Sequence, residues 1–120
     1  MPDEHQPGVA VFHIPEFKRN LRHLSKKHRP LRTDLQPILD ALVQGQRVGD
    51  KIPGVKYDVY KVRAKNSDAR KGKSGGYRLI FQVAKVNEIV LITVYSKSEQ
   101  GDVSAKTIKQ IIEEFEAEVG

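Results

Sequence analysis

Apolar residues along this chain change period part-way, and the change divides it into helical and extended stretches. Val9 to Ile14 is a short apolar run rich in β-branched residues between Pro7-Gly8 and Pro15, which predicts a strand. Pro15 suits the first turn of a helix in which Phe17, Leu21, Leu24 and His28 follow helical spacing and which Pro30 closes. Leu35, Ile38, Leu39, Leu42 and Val43 predict a second helix, with Thr33 or Asp34 as N-cap, Pro37 in its first turn and Gly45 as its stop.

Residues 45 to 54 are rich in glycine and predict a loop. From Val55 the period shortens. Val55 to Ala64, Tyr77 to Val86 and Glu88 to Tyr95 are rich in Val, Ile, Tyr and Phe and predict three strands, the last two joined by a tight turn at Val86-Asn87-Glu88. The polar segment Lys65 to Gly76, KNSDARKGKSGG, predicts a mobile hairpin loop. A last helix starts near Ser104 with Ile108, Ile111, Ile112, Phe115 and Val119 in one stripe, and the acids Glu113, Glu114, Glu116 and Glu118 away from it or beside it.

The order strand, two helices, three strands, helix predicts an α+β domain: a small, largely antiparallel sheet of about four strands, with helices on one face and the other face open. At 120 residues, 38% of them hydrophobic, the chain is expected to form one domain over residues 1–120, with residues 1–8 as a flexible N-terminal extension. There is no cysteine, so disulfides and thiolate metal sites are excluded. No apolar stretch approaches a membrane span and MPDEHQPGVA lacks the pattern of a signal peptide, so the expected location is cytoplasmic.

The formal charge of +6 favours a polyanionic partner. Its distribution is more informative than its total. Residues 15–30 hold six basic and one acidic side chain, and residues 51–85 hold ten and two, whereas residues 102–120 hold two and five. Strand alternation puts Lys61 and Arg63 on the face opposite Tyr60 and Val62, with Arg78 joining them if the strand register allows. Arginine offers bidentate donors and lysine a point charge, a combination suited to phosphate; the same residues also suit an ordinary solvated strand face. Lys97 would add a fourth cation, and Tyr95 would stack on a base, donate a proton or simply pack. Lys65, Arg70, Lys71 and Lys73 fit a loop that contacts a nucleic-acid backbone. KGKSGG lacks the upstream glycine of a nucleotide-binding loop, because Asn66 and Ser67 occupy that spacing. His5, His13, His23 and His28 have no metal-type spacing or partners, which points to structural or solvent-exposed roles.

The segments YKVRA (60–64), GGYRLIFQV (75–83) and LITVYSK (91–97) resemble the core of the RelE/ParE toxin superfamily, most of all its RelE and HigB-like members, and KGKSGGYRLIF (71–81) is the most specific piece. With PEFKR (15–19) and the helices, the resemblance runs from Val9 to the end of the chain. It implies the toxin of a type II toxin-antitoxin pair, a metal-independent endoribonuclease without cofactor that cuts mRNA in the ribosomal A site by attack of the ribose 2′-oxygen on the adjacent phosphate. It implies an antitoxin, the ribosome and mRNA as partners. By motif match Lys61, Arg63 and Arg78 take the basic catalytic positions and Lys97 stands where related toxins carry another arginine. The implied roles are activation of the 2′-hydroxyl by a lysine and stabilisation of the phosphorane by arginine. The family's tyrosine near the C-terminus has no counterpart, since no tyrosine follows Tyr95; either Tyr95 replaces it or catalysis runs on cations alone. The fold also hosts ParE-like inhibitors of DNA gyrase, and an inactive module that binds nucleic acid or antitoxin is a third reading.

Overall fold

The computed structural model describes residues 8–67 and 76–119. Its elements are β1 (Ala10–His13), α1 (Pro15–Lys27), α2 (Leu31–Val43), β2 (Asp50–Lys51), β3 (Val59–Ala64), β4 (Tyr77–Lys85), β5 (Glu88–Ser96) and α3 (Ala105–Val119). The five strands form one mixed sheet in the order β1-β5-β4-β3-β2, with β1 parallel to β5 and every other pair antiparallel. The α+β class and the antiparallel-rich sheet stand as expected, with one strand more.

That extra strand is β2, inside the stretch read from its glycines as a loop. Gly49 allows it to form: its φ is +86°, and a Cβ there would lie 2.6 Å from the backbone oxygen of Lys61. The glycine thus brings two strands close together as well as turning the chain. β3 begins at Val59, later than the apolar run from Val55 implies, and residues 55–58 form a bend in which the Asp58 carbonyl accepts from the Val83 backbone N–H at 2.9 Å.

Helix α1 starts with Pro15 at its first position and carries Glu16 in its first turn and Lys26 and Lys27 in its last, each sign matched to the helix dipole. Helix α2 starts at Leu31, before either expected cap. Burial decides this: Leu31, Leu35 and Leu42 face the core, and extending the helix back to Leu31 places all three on one stripe. Pro37 consequently lies inside the helix rather than in its first turn. Asp34 does not cap α2; its carboxylate accepts from the backbone N–H of Ser67 at 2.9 Å. Ser104 does cap α3, accepting from the Thr107 N–H at 3.1 Å, and Ile108 and Ile112 are buried while Glu113, Glu114, Glu116 and Glu118 are exposed.

Both faces of the central strands are covered. Leu79, Ile80 and Phe81 on β4, and Leu91 through Ser96 on β5, are buried at successive positions, which alternation permits only if each face has a cover. The ends of β4 and β5 show what lies on each side. Tyr77 packs edge-on against His28 just past α1, with ring centroids 5.4 Å apart. Tyr77 is paired with Ser96, so the next residue, Tyr95, points the other way, toward Asp102 in the segment leading to α3. The expectation of an open second face is corrected accordingly: that face is covered over β4 and β5, and Arg63 is among the residues on it that remain exposed.

A cationic candidate active site

Strand register gathers the residues that sequence reasoning singled out. Arg63 lies opposite Arg78, and Arg78 lies opposite Tyr95, so the three form one row across β3, β4 and β5. Residues paired across strands project to the same face, and Lys61 and Lys97 stand two positions from Arg63 and Tyr95. All five therefore share one face of the sheet, opposite the one that carries Tyr77, Leu79 and Val94. The strands supply a rigid base: β4 is paired along its whole length, and the Lys97 backbone N–H donates to the Gly76 carbonyl at 3.0 Å, which fixes the chain just beyond β5.

The burial of these side chains differs. Arg63 is exposed and makes no hydrogen bond or ion pair with a described residue; Lys61, Arg78 and Lys97 are half-buried. Tyr95 is 4% exposed, held between its neighbours with only its polar tip reaching a partner. Lys65 is exposed beyond the end of β3. Arg70, Lys71 and Lys73, expected to contact RNA, lie outside the described residues.

One residue at the centre of this cluster has no motif to mark it. The Oδ1 atom of Asp102 accepts from Lys97 Nζ at 3.0 Å and from the Tyr95 hydroxyl at 3.4 Å, and stands 3.7 Å from Lys61 Nζ. Among the described residues it is the only carboxylate paired with these lysines. The hydrogen bond from Lys97, and then the charge of Lys61, hold the Asp102 carboxyl below its ordinary pKa. Burial pushes the Tyr95 phenol above its ordinary value; the Val103 backbone amide and the Arg78 charge pull it back down, and Asp102 pushes it further up. Tyr95 is therefore a protonated phenol at neutral pH, able to donate a proton.

Three residues before Asp102, the same segment is fixed on the opposite side of the sheet. Glu99 accepts from His28 Nε2 at 2.9 Å and pairs with Lys27 at 3.6 Å. The contact with His28, ahead of the charge of Lys27, lowers the Glu99 pKa although partial burial opposes it. His28 thus has a structural partner, and His13 packs near Phe17 with ring centroids 6.2 Å apart. Chain spacing gives no sign of the Glu99–His28 or the Asp102–Lys61 contact, because each joins residues far apart in sequence.

No family model matches the sequence, and no curated protein matches it. Among solved structures, the toxin RelE of E. coli, in the free state and with two arginines replaced by alanine, is similar with a TM-score of 0.54 at 19% identity, over 94% of this chain and 99% of that one. The fold is RelE-like. TrmO from Pseudomonas aeruginosa shares 19% identity with a TM-score of 0.49 over 79% of this chain, which spans 38% of that structure. No described helix is long and apolar enough to cross a membrane.

Proposed function

We propose that this chain is a RelE-like toxin that cleaves mRNA on the ribosome, with Lys61, Arg63, Arg78, Tyr95 and Lys97 as its reactive face. The observation that carries this reading is the placement of four cations and a protonated phenol on one side of a rigid sheet in a RelE-like fold.

In the proposed reaction the ribose 2′-oxygen attacks the neighbouring phosphorus and the P–O5′ bond breaks, leaving a 2′,3′-cyclic phosphate and a 5′-hydroxyl. The nucleophile and leaving group both belong to the RNA, so the protein supplies proton transfers and charge stabilisation. Arg63 and Arg78 are suited to the charge that accumulates on the phosphorane oxygens, because a guanidinium can donate to two of them at once. Lys61 occupies the position that the resemblance assigns to activation of the 2′-hydroxyl, whose proton its neutral amine accepts in the reacting state, and Lys97 supplies an ammonium. Tyr95 provides the proton for the departing 5′-oxygen, a task for which a phenol of raised pKa is in the correct state at neutral pH. The partner that restrains the toxin is an antitoxin with an acidic or amphipathic segment, matched to a chain of net charge +6.

The test is to incubate the protein with translating ribosomes and map the mRNA ends. New ends within translated codons are expected, and they disappear when Lys61, Arg63 and Arg78 are all replaced by alanine. Intact message together with inhibited DNA gyrase would overturn the proposal in favour of a ParE-like activity.

A further inference from the structure

Asp102 makes three contacts through a single oxygen, and each is one that a phosphate oxygen would accept. An anionic oxygen at hydrogen-bonding distance from Lys97 and Tyr95 and within ion-pair reach of Lys61 has the surroundings of a bound non-bridging phosphate oxygen. We propose that Asp102 is an internal stand-in for the substrate's phosphate: in the free protein it holds Lys61, Lys97 and Tyr95 converged on one point, and RNA binding displaces it. This inference rests on the proposed function only in taking the cationic face as a phosphate site.

Three observations support displacement rather than a permanent structural contact. The Asp102 side chain is 54% exposed and lies in the segment between β5 and α3, outside helix and strand, where exposed ion pairs are weak and local movement needs little rearrangement. Gly101 beside it faces open space, with nothing within 4 Å of where a Cβ would lie. The segment is tethered on both sides of Asp102. Glu99 is bound to His28 and Lys27 before it, and Ser104 caps α3 after it, so Asp102 can leave the lysines while the chain stays attached to the domain.

The competition favours phosphate for a physical reason. Asp102 occupies the Lys61, Lys97 and Tyr95 contacts but makes no described contact with Arg63, whereas a phosphodiester spanning the face meets both lysines and Arg63 together. On displacement, the Tyr95 hydroxyl bonded to Asp102 becomes available to the phosphate, so substrate binding itself would free the proton donor. Without Asp102 the lysine charges would face each other with no described carboxylate between them.

The test uses the full chain and inorganic phosphate, with amide resonances followed by NMR at constant ionic strength. In the native protein, phosphate is expected to shift Lys61 and the segment 97–104 together. Asp102→Asn removes the competing charge, and phosphate affinity is expected to rise roughly three- to tenfold, the range of a weak exposed ion pair. Asp102→Glu keeps the charge and is expected to stay within about twofold of the native affinity. A purely structural role would lower affinity in the asparagine variant. Unchanged or weaker binding by Asp102→Asn, binding that leaves segment 97–104 unmoved, or no binding by either form overturns the inference. Tighter phosphate binding without mRNA cleavage would leave Asp102 as the internal anion and sink the ribonuclease reading; cleavage without the affinity gain would do the reverse.

Discussion

Arg63 and Arg78 stand directly opposite each other on β3 and β4, two positive charges on one cross-strand pair. Like charges so placed disfavour the pairing by roughly 0.2–1 kcal/mol, and an anionic ligand reverses the sign of their effect. Replacing exposed Arg63 by alanine should leave the thermal midpoint unchanged or slightly higher while lowering mRNA cleavage on the order of 100-fold, the usual cost of removing one transition-state donor. Thermal unfolding and cleavage measured on the same preparation check both halves.

Tyr95→Phe should fold normally, since the ring is buried and its shape is retained. Cleavage should drop by about 10²-fold or more if the hydroxyl is the proton donor. In the native protein the phenol's pKa is raised, mainly by burial, so by absorbance it should ionise above the ordinary value of about 10. The protonated form is favoured in the folded state, so the contribution is full below about pH 10 and is lost as pH rises through the folded pKa. The phenylalanine variant should lack this alkaline loss.

Gly76→Ala should disturb the site without touching its chemistry. Gly76 has φ +75°, and a Cβ there would lie 2.5 Å from the Ala64 carbonyl oxygen, where β3 and β4 start to pair. The change should cost about 1–3 kcal/mol in urea unfolding, from strain and clash together. It should also reduce cleavage by shifting Arg63 and Arg78 relative to each other. Gly101→Ala, in open space, should stay within about 0.5 kcal/mol of native stability.

Acid should loosen the segment that joins β5 to α3. The Glu99 carboxyl has a lowered pKa through His28 and then Lys27, so its contribution is present above the ordinary value of about 4.3 and lost as pH falls through the folded pKa below it. Glu99→Gln should cost less than about 1 kcal/mol at neutral pH, because the pair is partly exposed, and should flatten the decline in stability below about pH 4.3. Unfolding curves at a series of pH values compare the two proteins.

Much of the fold was legible because its elements are local. The stripe of Ile108, Ile112 and Phe115, the cap at Ser104 and proline at the first position of α1 each act within a few residues, and α1 and α3 appear where these signals place them. The misplaced starts of α2 and β3 and the unforeseen strand β2 share one cause, since each boundary is set by a contact with a distant element. Leu31 belongs to α2 because it is buried in the core, and β2 exists because Gly49 lets it approach Lys61.

For the candidate site the same division holds. The sequence by itself determined the cations, since alternation places Lys61 and Arg63 on one face whatever surrounds them and the charge excess in residues 51–85 is a property of composition. Only the tertiary structure decided that Arg78 and Tyr95 join that row, because register depends on hydrogen bonds between strands. Only the tertiary structure brought Asp102 onto Lys61, Lys97 and Tyr95, since a carboxylate acts over a few ångströms of space and its distance along the chain does not reveal which charges it will meet.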